Sequence, residues 1–319
     1  MIDIKVTTCA PNWPWARQLP GGGPDWGPFR FHIDTDIEVC DAWFVFESLP
    51  GPQTTICPPH RTVFITGEPD SIGGYQPSFL RQFSHVVSGR NDIVHPRQLR
   101  LQQAHPWFIE KSYDELIHMP PPEKTRNLCV ITSDKGFTDG HQQRLAFTAQ
   151  LKQTLGDRVD VYGRGFNEFD SKWELLSAYR YAVVIENFAS DDFLTEKLPD
   201  AWLAYCLPFF HGCTNLDRYF PRDGYISVDV NAPVQSIETI SRLSADSRAY
   251  DTHLEAIARA RAHYLDHQQF FSNIMSLSKA MMYEPISSRT EKQLLPNGQS
   301  VLPRFAALRD LTRKLFGGS

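Results

Sequence analysis

No Cys-x-x-Cys pair occurs in this chain. Its six cysteines (Cys9, Cys40, Cys57, Cys129, Cys206 and Cys213) stand far apart, several in apolar surroundings such as LCVI and AYCLPFF. That pattern suits buried reduced thiols rather than a disulfide framework. No apolar stretch approaches the length needed to span a bilayer. The start, MIDIKVTTCAPNW, has no positive segment followed by an apolar run, so no signal peptide is expected. Excess positive charge is also missing. The formal net charge of −5 argues against nucleic acid as a partner, although a local basic cluster can still serve phosphate groups. Gly21-Gly22-Gly23 is followed by no Gly-Lys-Ser/Thr and is flanked by prolines, which excludes a P-loop. The expectation is a cytoplasmic protein, with peripheral attachment to the inner face of a membrane left open.

What is present describes an ordinary globular chain: 41% hydrophobic and 22% charged residues. A length of 319 residues exceeds what one core usually absorbs, so two domains are expected. IDIKVTT, DAWFVFE, RTVFITG and FSHVVSG read as strands, rich in β-branched and aromatic residues. Residues 10–30 are dense in Pro, Gly and Trp and read as a loop. The run HMPPPEKTR is a stiff extended connector, and the domain boundary is placed there, giving segments 1–120, 121–275 and 276–319.

Past the prolines the rhythm becomes strand, helix, strand, helix. NLCVITS is a strand, and His141 to Leu155 is a helix with Phe147, Leu151 and Leu155 on one face, ended by Gly156. RVDVYG is the next strand, Lys172 to Tyr179 a short helix, and YAVVIE a strand. A helix around Glu196 to Tyr205 and the strands LPFFHG and YISVDV follow. Such alternation predicts an α/β fold with a parallel sheet covered on both faces, whose ligands sit at the carboxyl ends of the strands. The tail PRFAALRDLTRKLFGGS reads as a candidate amphipathic basic helix, with an apolar set of Phe305, Leu308, Leu311 and Leu315 and a basic side of Arg304, Arg309, Arg313 and Lys314. It would either pack on the protein's own surface or attach to an anionic membrane.

The segment YRYAVVIENFASDDFLTEKLPDAWLAYCLPFFHG is the most informative. The buried strand AVVI delivers Glu186 and Asn187 to its end. Thr195, read as an N-cap, then opens a helix with Glu196 and Lys197 in its first turn. A helix start beside a lysine suits a diphosphate, and Glu196 suits sugar or ribose hydroxyls. Taken alone, Glu-Lys at a helix start is more often decoration. The full string resembles the signature of the α-1,3/1,4-fucosyltransferases, glycosyltransferase family ten: Tyr-Lys-Phe, Glu-Asn, a short loop, Tyr-x-Thr-Glu-Lys, an alanine and Pro-x-x-x-Gly. Here these stand as Tyr179-Arg180-Tyr181, Glu186-Asn187, Phe193-Leu194-Thr195-Glu196-Lys197, Ala201 and Pro208 through Gly212. The resemblance is firm from about Asn127 to Val230. It departs at Phe193, where the family has tyrosine. Animal members carry an N-terminal membrane anchor, and on that point this chain is more similar to the bacterial branch.

The resemblance implies a GT-B-type fold, two Rossmann-like domains with a cleft between them, the first binding the acceptor and the second the GDP-sugar. It implies transfer of L-fucose from GDP-fucose to a galactose- or N-acetylglucosamine-containing glycan, free or lipid-linked, with inversion and without a metal or other cofactor. Arg144, in HQQRLAF, matches the family's phosphate-binding arginine, and Tyr162-Gly163 matches a strand-glycine turn. Glu68, after the apolar strand RTVFIT, matches the catalytic carboxylate and is assigned as general base. Arg144 and Lys197 would meet the charge on the departing diphosphate, Asn187 would hold the donor and Glu196 its hydroxyls, and Gly163, Glu186, Phe193 and Thr195 count with them among the donor-binding residues. Another GDP-sugar donor, suggested by Phe193, and a non-catalytic nucleotide-sugar binder are the competing readings.

Other signals carry less. Asp34-Thr35-Asp36 is a DxD string of the kind that holds a metal in other transferases, but it lies far from the donor motif and is read as structural. His263 and His267 lack a third ligand nearby in sequence. Trp13, Trp15 and Trp26 would serve equally as a sugar-stacking platform or as anchors for the long loop.

Overall fold

A computed structural model describes residues 1–286 and 288–297. The tail helix expected around Phe305 lies outside the described residues.

The chain divides into two compact units. The first unit opens with β1 (Ile2–Thr8), β2 (Asp25–Trp26), β3 (Phe29–Ile33), β4 (Ala42–Phe46), β5 (Gln53–Cys57) and β6 (Thr62–Ile65). After these come α1 (Pro77–Leu80), β7 (His85–Val87) and β8 (Gln98–Leu99). Seven of its strands form one sheet in the order β2-β3-β1-β4-β6-β7-β8, parallel except for the β2–β3 pair. Every residue of β4 is buried, as a central strand with both faces covered requires. On one face Trp43, Val45 and Phe64 pack with Phe79, Leu80 and Phe83. Within the stretch 10–30, expected to be loop, β2 and the start of β3 are strand instead, because Ile4 and Val6 of β1 align with Phe31 and Ile33.

The second unit holds β9 (Arg126–Ile131), α3 (Asp139–Leu155), β10 (Asp160–Tyr162), α4 (Lys172–Ala178) and β11 (Tyr179–Ile185). It continues with α5 (Lys197–Leu203), β12 (Leu207–His211), β13 (Ile226–Ser227), α6 (Pro233–Ala245) and α7 (Ala249–His263). Its five strands are all parallel, in the order β10-β9-β11-β12-β13. α3 buries Phe147, Leu151 and Leu155 as their spacing predicts, and Gly156 ends it at φ 58°. YISVDV yields only the two-residue β13, and α6 and α7 add helical cover beyond the expected elements.

The units exchange chain differently from the expected division at the prolines. Residues 104–111 and 115–269 cluster together, while 112–114 and the described residues from Phe270 onward join the first unit. The reason for the first exchange is local bonding. The Glu110 carboxylate accepts from Ser171 Oγ and from the Lys172 and Trp173 amides, capping α4, and the Phe108 amide donates to Asp200 Oδ1 at 2.9 Å. α2 (Tyr113–His118) follows. At the other end α8 (Phe270–Met282) covers the second face of the first sheet: Phe270 packs edge-on to Phe46, and Phe271 to Phe31. β14 (Thr290–Leu294) then pairs antiparallel with β5. Among the described residues no helix is long and apolar enough to cross a membrane, and all six cysteines are free.

Ranked along the chain, the parallel strands of the first sheet run 2-1-3-4-5-6 from β3 to β8, and those of the second run 2-1-3-4-5. Both are doubly wound, with strand order reversing between ranks 1 and 3: β1/β4 in one unit, β9/β11 in the other. That reversal is where open α/β sheets place their ligands.

Candidate functional site

In the second unit the reversal point gathers the predicted donor residues. β11 ends at Ile185, and Glu186 follows with its side chain fully buried. Its Oε1 accepts from the Thr195 amide at 3.0 Å and the Thr195 hydroxyl at 2.6 Å, and its Oε2 accepts from Lys197 Nζ at 3.0 Å. Glu186 therefore does not turn outward to a ligand, as its place among the donor residues implied. It holds Lys197, which keeps 29% side-chain exposure and also lies 3.6 Å from Glu196. Burial works to neutralise Lys197, but Glu186 and Glu196 overcome it and hold the ammonium well above its ordinary range. Burial likewise opposes ionisation of Glu196, yet Lys197, Lys172 and His105 bring it down to about 2.

From β9 the chain supplies Thr132 and Ser133, and α3 brings Arg144 to them. The Arg144 Nη2 donates to the carbonyl and hydroxyl of Ser133, each at 3.3 Å. Arg144 is 6% exposed, and neither its Nε nor the Thr132 hydroxyl has a hydrogen-bond partner. Burial pushes the guanidinium down from its usual value, while Glu186 works in the other direction. The first turn of α3 presses on the strand end so closely that a Cβ on Gly140 would stand 1.9 Å from the Asn187 carbonyl oxygen, so only glycine fits. Thr138 caps that turn by accepting from the His141 amide. The His141 ring contacts Thr138 Oγ1 and, at 3.4 Å, Asn187 Nδ2. Burial, then the charges of Arg144, Lys135 and Lys197, lower His141 to about 4. Burial is the largest cause of that depression, and the three cations that add to it gather around this strand end, an arrangement suited to a polyanion.

Two details differ from expectation. Thr195 is not an N-cap: α5 begins at Lys197 after Glu196, without a side-chain cap, because the Thr195 hydroxyl is committed to Glu186. α5 spans seven residues, so the positive end facing a ligand is the side chains and the longer α3 rather than α5. Phe193 is 2% exposed and packs edge-on to Phe188, in the interior. Gly163 closes the β10 turn at φ 114°, its amide donating to the Asn167 carbonyl at 2.8 Å.

In the first unit Glu68 stands just past β6, half-buried, as its motif predicts. Sequence reasoning missed the carboxylate beneath it. Glu47 follows β4 directly, at φ 64°. Its Oε2 accepts from the amides of Gly67 and Glu68, the latter at 3.1 Å, and from the Tyr75 hydroxyl at 2.8 Å. A Cβ on Gly67 would lie 2.7 Å from that oxygen, so a larger residue there would push the Glu47 carboxylate aside. From the other side Arg90, 1% exposed, donates through Nη1 to the carbonyls of Glu68 and Pro69 at 3.0 and 2.7 Å. Burial and the charge of Glu68 push Glu47 up to about 7 against those three hydrogen bonds. The missed signal was the same one used for Glu186, a carboxylate directly after a wholly apolar strand.

The remaining signals resolve as structure. Asp34 accepts from the Thr8 amide and hydroxyl at 2.7 and 2.6 Å. Trp13 and Trp15 are buried anchors, and Trp26 lies on Tyr113. Among the described residues no three His, Cys, Asp or Glu side chains group to hold a metal ion.

Comparison with known proteins gives a family-model match, glycosyltransferase family 10 (fucosyltransferase) C-term, over residues 121–290. The Homo sapiens 4-galactosyl-N-acetylglucosaminide 3-alpha-L-fucosyltransferase 9 is 25% identical over 135 residues, 40% of this chain and 36% of that protein. The chain thus spans about a third of the length of the curated relatives it matches. A crystal structure of an alpha1,3-fucosyltransferase with GDP superposes with a TM-score of 0.51 at 16% identity, covering 89% of this chain and 92% of that one. The structure with GDP-fucose gives 0.50 at 17% identity, covering 89% and 90%. This likeness shows the fold: GT-B-type, with two Rossmann-like units.

Proposed function

The chain belongs to glycosyltransferase family 10, and from that premise we propose that it is a GDP-fucose-dependent fucosyltransferase acting on a galactose- or N-acetylglucosamine-containing glycan. One observation carries the donor half of this reading. Arg144 is buried with an unpaired Nε, and its charge and that of Lys197 both act on His141 at the same strand end. Burying a guanidinium with an unmet donor is costly, and a diphosphate that accepts from it recovers that cost when it binds. Relatives that carry a fucosyltransferase name, and a solved structure holding GDP-fucose, support the choice of donor.

In the reaction, the acceptor oxygen forms a bond to the anomeric carbon of fucose as the bond to the GDP phosphate oxygen breaks. Attack from the face opposite the leaving group inverts the anomeric centre. The acceptor hydroxyl proton passes to the carboxylate of Glu68. Negative charge grows on the departing diphosphate, where Arg144 offers a planar fork and Lys197 a point charge. Cationic side chains thus do the neutralising without a metal. Glu186 keeps Lys197 in place, and Asn187 and Glu196 offer polar groups to the sugar hydroxyls.

The test is GDP release from GDP-fucose with a panel of type 1 and type 2 disaccharide acceptors, with GDP-mannose as control donor. Transfer is expected with GDP-fucose, and Glu68→Gln should cost on the order of 10³-fold in kcat while melting normally. Retained turnover in Glu68→Gln removes the assignment of the base. Protection against thermal unfolding by GDP-mannose but not GDP-fucose removes the assignment of the donor.

A further inference from the structure

Besides the assigned base, the first unit holds a second carboxyl at the same strand ends. Glu47 touches the Gly67–Glu68 backbone from below, through both amides, while Arg90 holds the Glu68 and Pro69 carbonyls. The peptide that carries Glu68 is therefore clamped on its donor side by one charged group and on its acceptor side by another. Resting on the fucosyltransfer reading above, we propose that Glu47 is a positioning residue for Glu68, whose ionised carboxylate fixes the 67–68 backbone so that the base meets the acceptor hydroxyl.

The charge matters because a carboxylate accepts N–H bonds about twice as strongly as a neutral oxygen does. The groups facing Glu47 are Glu68, the Tyr75 hydroxyl, Arg90 from the β7–β8 connection and the Cys9 thiol past β1. Arg90 is the cation among them, and it is paired with Asp92. With burial and Glu68 raising it to about 7, Glu47 changes charge near neutral pH. Below that pH the clamp on 67–68 is the weaker, protonated form, and above it the stronger form.

Two measurements test this. In steady-state kinetics, Glu47→Ala should lower kcat on the order of 10²-fold with KM for GDP-fucose within about twofold. Glu47→Gln, which keeps an acceptor oxygen at the same reach, should restore kcat to within roughly tenfold of wild type and flatten the rise in rate through pH 7. In NMR, the Gly67 and Glu68 amide protons of the wild-type chain should move downfield together as pH rises through about 7, and should stay still in Glu47→Gln.

An inactive Glu68→Gln beside an unaffected Glu47→Ala overturns the positioning role and leaves the fucosyltransfer reading standing. A chain that transfers no sugar overturns that reading, and the amide titration then still decides for or against Glu47. Amides that do not titrate near pH 7, or that titrate equally in Glu47→Gln, sink the proposal.

Discussion

The two units solve the same topological problem with opposite electrostatics. Each sheet reverses its order beside its third parallel strand, β4 in one and β11 in the other. Each of those strands is immediately followed by a glutamate, Glu47 or Glu186. Both carboxylates accept a backbone amide and a hydroxyl from a later segment: Glu47 from Gly67, Glu68 and Tyr75, Glu186 from Thr195. The difference lies in the next charge. Glu186 has Lys197 at 3.0 Å, whereas Glu47 has the anionic Glu68 for a neighbour and rises to about 7. A buried strand-end carboxylate thus serves as a fixed counter-ion where a cation follows, and as a titrating clamp where another acid follows.

The sharpest way to break the comparison is Glu186→Ala. It removes the buried counter-ion of Lys197, which keeps Glu196 at 3.6 Å and the Thr195 hydroxyl at 2.8 Å, and stability should fall by about 3 kcal/mol, read as a large loss of denaturation midpoint. A mild effect would mean that Glu186 is no counter-ion. Next comes the pH dependence that Glu47 confers on the first unit. The Glu47 carboxyl holds its proton from its ordinary value of 4.5 up to about 7 in the folded chain. Its contribution is therefore fully present below pH 4.5 and is lost as pH rises through 7. Relative to Glu47→Gln, the wild-type chain should lose up to about 3 kcal/mol between pH 4.5 and pH 9 in urea titrations. Parallel slopes for the two proteins would erase the contrast. The smallest effect is expected from Arg144→Lys. GDP should bind about 2 kcal/mol more weakly, roughly 30-fold, in calorimetry, with the melting temperature hardly changed.

Much of this was legible before any coordinates. The strands IDIKVTT and YAVVIE, and the helix face of Phe147, Leu151 and Leu155, announce themselves because burial on a period of two or near four needs no knowledge of partners. Glu68, Arg144 and Lys197 were proposed from a local motif, and each lies just past a strand or on a helix that follows one. Glu47 follows an apolar strand as Glu186 does, but its partners lie 20 to 28 residues away and no local motif accompanies it. The same distance effect misled the reading of Thr195. A hydroxyl ahead of a helix looks like a cap until a buried carboxylate 9 residues earlier is seen to hold it. The unit boundary shifted for a similar reason. The proline run is stiff, but Glu110 caps α4 and Phe108 binds Asp200 of α5, so the chain before the prolines already belongs with the helices of the second unit.

By itself the sequence determined where the apolar strands run and that two of them end in glutamate, since side-chain alternation and strand length are local properties. Only the tertiary structure decided which charge each glutamate meets. Proton affinity depends on burial and on groups brought near by folding, and no neighbour in the chain carries that information.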